Sequence, residues 1–237
     1  LADYYYHFYD TKELRRVIPY DPVKAIGLYR RAATKYFSDA GYAALQAAFG
    51  YIFHIGHLPL DWGLIADLTH MAATKERFMF SLPYIGYMRI HGLGVTKNIR
   101  FGVQSLTRVL DEEKRALEEE DRVLFYDITR ALTRVALGYA YEKGYVTGKP
   151  DLDAAVAYYE ESHQYILSHK ANLDEELKDI PIDNEAEERL AAFEEIDGHW
   201  HYKEGFTEST STVRPGHTEW PQNAARLSVN MDDFLWD

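Results

Sequence analysis

From Asp21 to about Gly144 the apolar residues recur at helical spacing, broken only by short segments such as HLPLD, GLGVTKN and KGYVTGKPD. Strand signals are nearly absent, so the pattern predicts an all-α chain of helices and tight turns. Within it the same small set of residues returns. Gly50 is followed by Phe53 and Gly56, Ile85-Gly86 by Gly92, and Leu137-Gly138 by Tyr141 and Gly144. Gly50 and Gly86 stand 36 residues apart and Gly86 and Gly138 52, and the excess holds DEEKRALEEEDR.

A second helix repeats as well. Asp21 is followed at four, eight, 11 and 12 residues by Ala25, Tyr29, Ala32 and Ala33. Asp61 leads at the longer distances to Ala72-Ala73, Asn98 leads to Gly102 and Leu106, and Asp151 to Ala155 and Tyr159. Glycine in the first helix allows a neighbour close approach, and the loop glycine ends that helix. Asp or Asn at the start of the second helix accepts hydrogen bonds from free backbone donors, and small alanines suit tight contact with the next unit. One such unit alone leaves an apolar face bare, whereas stacked units bury their faces in a continuous core. The expectation is a solenoid of about four helix-turn-helix repeats over residues 21–165, with Gly50, Gly56, Gly86, Gly92, Gly94, Gly138, Gly144, Ala25, Tyr29, Ala32 and Ala33 as its structural positions.

These residues resemble the Sel1-like repeat, a tetratricopeptide-related family with units of about 36 residues. The likeness is clearest in Ile85-Gly86, Gly92, Gly94-Val95 and Asn98, where Arg89 replaces an aromatic, and in Asp21, Lys24-Ala25, Tyr29 and Ala32-Ala33. The second unit lacks the G-x-G-V turn, and the fourth has a longer one. The resemblance implies an α/α right-handed superhelix that brings other proteins together, and it implies no catalysis.

Outside the repeats, residues 1–20 read as an aromatic N-terminal cap and 111–122 as a helical insertion that lengthens its flanking helices into a projecting pair. Residues 166–205 read as an acidic helical region and 206–237 as an extended partner-binding tail. Tyr5, Phe8, Trp220, Leu227, Phe234, Leu235 and Trp236 are costly to leave in water, which makes them the candidate partner contacts. A net charge of −12 speaks against nucleic acid as a partner. The absence of cysteine removes disulfides and thiolate metal sites, and no apolar run reaches the length of a membrane span. The sequence opens on Leu1, which points to a chain from which a targeting segment has been removed, mitochondrial or otherwise organellar, with the cytoplasm as the alternative.

No phosphate loop, nucleophile elbow or zinc-protease motif is present. His199 and His201, with Asp197 or Glu204 near them, and the pair His54 and His57 have ligand chemistry. The simpler reading is a helix exit with Trp200 and Tyr202 docked on the solenoid and the histidines in water. Asp111, Glu112, Glu113 and Glu118 to Glu120 read as a solvated helix face. No catalytic, cofactor-binding or metal residues are assigned, and no cofactor is expected. The function expected is a non-catalytic scaffold, an accessory subunit binding other protein subunits, with a transient peptide-binding module as the alternative.

Overall fold

The computed structural model describes residues 21–34, 39–52, 61–74, 78–118, 127–171 and 185–206. Seven helices of 12 residues or more run through them: α1 Pro22–Ala33, α2 Ala40–Ile52, α3 Trp62–Ala73, α4 Phe78–His91, α5 Ile99–Glu118, α6 Asp127–Glu142 and α7 Leu152–Ala171. A short helix α8 Glu185–Leu190 and a hairpin of β1 Phe193–Ile196 and β2 His199–Tyr202 follow. The fold is an all-α solenoid over its repeats. Residues 207–237 lie outside the described residues. The lead-in at 1–20 and Gly56 also lie outside them, as do all seven candidate partner contacts.

Four helices begin on the same device. The side chains of Asp21, Asp61, Asn98 and Asp151 each accept the backbone N–H three residues on, at 2.8, 3.0, 3.1 and 3.0 Å. Their carbonyls accept the N–H four residues on, at 2.9 to 3.0 Å. Each side chain thereby satisfies a donor that has no partner inside the helix. Four and eight residues after each cap the chain turns the same face to the core: Ala25 and Tyr29, Ile65 and Thr69, Gly102 and Leu106, Ala155 and Tyr159 are all buried. Ala33 is buried with them and Ala32 is half-buried.

The first helices end alike. The Leu93 N–H donates to the Met88 carbonyl at 3.0 Å and the Tyr145 N–H to Ala140 at 2.8 Å, with Gly92 and Gly144 between them at φ of 77° and 70°. This is the Schellman ending, in which the left-handed residue is nearly always glycine. In both turns the next N-cap then donates its own N–H back, Asn98 to Arg89 at 2.9 Å and Asp151 to Tyr141 at 3.1 Å. The extra residue of the later turn therefore leaves its two anchor points intact.

Close approach falls where the glycines predict it, with one exception. A Cβ on Gly86 would lie 2.6 Å from Leu106 Cγ and 3.1 Å from the Gly102 carbonyl, and one on Gly138 would lie 2.6 Å from the Tyr159 ring and 3.1 Å from the Ala155 carbonyl. The first helix thus rests on the backbone of its own second helix. Gly50 instead faces Ile26 of the preceding helix, 2.1 Å from a would-be Cβ. Ala40, Ala43, Ala44, Ala47 and Ala48 make α2 slender on several sides, so its packing does not hinge on one glycine.

Two expectations are corrected. The acidic segment at 111–113 is not a uniformly solvated face: Asp111 is exposed, but Glu113 is 5% exposed and pairs with Arg134 of α6 at 2.5 Å, with Arg130 at 3.9 Å. Arg130 and Arg134 in turn lie over the Tyr165 ring of α7, at 5.5 and 5.1 Å, so the added turns of α5 pack against α6 through arginines that also cover α7. The region 166–205 is not helical throughout, since 193–202 is an antiparallel hairpin with Phe193 opposite Tyr202 and Ile196 opposite His199. Its two-residue turn, Asp197-Gly198, has φ of 53° and 81°, the positive pair a type I′ turn requires.

Candidate interaction surfaces

Glu142, at the last position of α6, is the knot of the carboxy-terminal half. Its Oε2 accepts from the Tyr159 hydroxyl at 2.6 Å and from Arg189 Nη1 at 3.3 Å, and its Oε1 from Lys143 Nζ at 2.7 Å and the Tyr202 hydroxyl at 2.9 Å. Helices α6, α7 and α8 and strand β2 therefore meet on one carboxylate that is 4% exposed. Burial alone would raise its pKa. The Arg189 charge and the hydrogen bonds from Lys143 and Tyr159 outweigh burial and hold it below the ordinary carboxylate range. Burial pushes the Tyr159 hydroxyl well up, so it stays a donor. With both oxygens committed to four donors, the carboxylate acts as a clasp.

Arg189 carries the clasp onward. Its guanidinium lies 4.7 Å over Tyr139 and 6.0 Å from the Tyr159 ring, and it reaches Glu185 at 3.4 Å. Glu185 accepts the Tyr87 hydroxyl at 2.8 Å. Burial opposes the Arg189 charge, but Tyr159, Glu185 and Glu142 reverse that effect and keep the group protonated. From Tyr87 a row of rings crosses the units. Trp62 stacks on Tyr87 at 5.8 Å, His91 lies 4.5 Å from Tyr87 and 4.4 Å from Tyr139, and Tyr139 meets Tyr145 edge-on at 6.1 Å.

The hairpin closes over the end of α7. Asp153 accepts the Trp200 backbone N–H at 2.9 Å and faces His199 Nδ1 at 3.1 Å; the backbone donor first, then His199, lowers its pKa. Phe193 stacks between Tyr159 at 6.2 Å and Tyr202 at 5.0 Å. His199 and His201 are exposed, and Asp197 is used by the turn. Among the described residues no group of three or more potential ligands could hold a metal ion, and no helix is long and apolar enough to cross a membrane. His54 and His57 lie outside those residues.

Arg89, in the place of the repeat aromatic, donates to the Thr96 carbonyl at 2.8 Å and lies 5.6 Å over Phe101. In the next unit Tyr141 fills that place and stacks on Tyr158 at 5.4 Å. Sequence reasoning missed Glu142, Arg189 and Tyr87. They stand 47 and 55 residues from one another along the chain, and no periodicity joins them.

Three stretches of the chain, residues 1–36, 84–104 and 129–162, match the Sel1 repeat family. The first takes in the aromatic lead-in, and none covers the second unit. No curated protein matches the chain. Among solved structures, a protective antigen of uropathogenic Escherichia coli displaying an SLR fold is 18% identical, with 78% of this chain and 34% of that one covered, at a TM-score of 0.40. A Sel1 repeat protein from Oxalobacter formigenes is 16% identical, with 80% and 82% covered, at a TM-score of 0.37. The chain thus spans about a third of the length of the antigen.

Proposed function

The chain is a Sel1-repeat protein, and from that premise we propose that it is a non-catalytic scaffold, an accessory subunit that holds other proteins in a multiprotein assembly. Sel1 repeats generally mediate protein–protein interaction, and the repeat matches are the observation that carries the reading. The Glu142 clasp supports it in a second way. A buried carboxylate spent on four donors gives α8 and β2 a fixed place on the repeat that precedes them, which covers an apolar face that a repeat unit would otherwise leave bare.

Crosslinking followed by purification from the native source tests the proposal. It should return protein partners in fixed ratio, and removal of residues 206–237 should reduce their recovery. A chain that purifies alone as a monomer under crosslinking overturns it. The row of rings from Trp62 to Tyr145 favours a second reading, transient capture of a short peptide. In that case peptide affinity survives the deletion.

A further inference from the structure

Two consecutive repeat turns meet at one edge of the solenoid. In residues 92–97 and 143–150 the only charged side chains are Lys97, Lys143 and Lys149, in a chain whose net charge is −12. Lys143 is held on Glu142, whereas Lys97 and Lys149 are exposed. Tyr145 and Val146 stand beside them, 36% and 38% exposed, two of the few large apolar side chains left in water among the described residues. Lys97 of one turn lies 5.6 Å over the Tyr145 ring of the other, and that ring abuts Tyr139. The spot is therefore joint property of two repeats.

Both turns are also built in advance. Glycines at positive φ set their corners, the Arg89 guanidinium holds the Thr96 carbonyl, and the Thr147 hydroxyl donates to the Lys149 carbonyl. Little backbone entropy is left to lose on binding. We propose that these paired turns dock an acidic segment of another protein that carries an apolar anchor, the anchor resting on Tyr145 and Val146 and its flanking carboxylates on Lys97 and Lys149. Charge complementarity selects this occupant. The carboxylates Asp61, beside the first turn, and Asp151, beside the second, each accept a helix N–H at 3.0 Å. At 0.1 M salt a screening length of about 10 Å weakens the influence of charges farther off, so Lys97 and Lys149 are the charges these turns offer a partner.

The inference rests on the scaffold reading and deepens it. The probe is a fluorescein-labelled dodecapeptide with four glutamates around a Leu-x-x-Phe core, titrated against the full chain at 0.1 M salt beside a counterpart with lysines for glutamates. Binding of the acidic peptide alone is expected. K97E/K149E should weaken it by about tenfold or more, Y145S should weaken it too, and R30E/R31E on α1 should leave it unchanged. Melting curves confirm that each variant is folded. No binding, equal binding of the lysine peptide, or unchanged affinity in K97E/K149E overturns the surface. Self-association that K97E/K149E abolishes, without peptide binding, assigns it to a second copy and also overturns the proposal. A chain that keeps its crosslinked partners while failing the peptide test loses this surface alone; a chain without partners loses both readings.

Discussion

Glycine has two opposite meanings in this chain, and neighbouring atoms separate them. Gly27 sits in mid-helix with nothing within 4 Å of an added Cβ, so G27A should stabilise by about 1 kcal/mol through helix propensity. For a chain of this size that raises the melting temperature by about 2–4 °C. Gly86 has the same propensity to gain, but its Cβ would press on Leu106 and on the Gly102 carbonyl, which is backbone and cannot turn aside. G86A should instead lose about 1–3 kcal/mol. Equal melting temperatures for the two variants would contradict the assignment of Gly86 to a close crossing. Charge obeys a similar logic at Arg189. R189M leaves Glu142 buried without its main counter-charge and should cost about 3–5 kcal/mol, while E142Q/R189M should recover part of that loss. A double-mutant cycle by denaturant unfolding reads the coupling.

At the scale of elements, the helices are defined by their ends more than by their interiors. D151A removes the side-chain acceptor of the Ala154 N–H and should cost about 1 kcal/mol. D151N should be nearly neutral, because Asn98 already performs the same task in the preceding unit. These caps were legible because an Asp or Asn led each small-residue helix at a fixed distance. The hairpin was legible too: Phe-Glu-Glu-Ile and His-Trp-His-Tyr flank Asp-Gly, the strongest short signal for a two-residue hairpin turn. A surrounding run of acidic residues that suits helices obscured it. Glu113 shows the reverse limit. Its run of charged neighbours, Lys114 and Arg115 among them, reads as a solvated face, and only the packing of α6 shows that one carboxylate of that face is enclosed.

For the whole molecule, two titrations place acid lability in different windows. Burial lowers the His169 pKa, with Asp127 opposing, so the folded state prefers neutral imidazole. Its stability contribution is present above the ordinary value of 6.5 and is lost as pH falls toward the depressed folded value. Glu142 is depressed in the folded state, so its contribution is full above 4.5 and disappears as pH falls below that. Melting temperature measured from pH 7.5 to 3.5 should decline in two stages. H169Q should flatten the first and E142Q the second, and a single decline unchanged by either substitution would refute the assignment.

The solenoid was written in the sequence because its determinants are local and periodic: caps, loop glycines and small residues act within a turn or two of where they stand. The Sel1 likeness rests on those positions. The clasp at Glu142, the row of rings and the paired turns could be read only from the folded chain. They join residues dozens of positions apart, and a contact made across stacked units leaves no spacing rule in the chain. Gly50 marks the boundary, since its type announced a close approach but only the neighbouring helix decided with what.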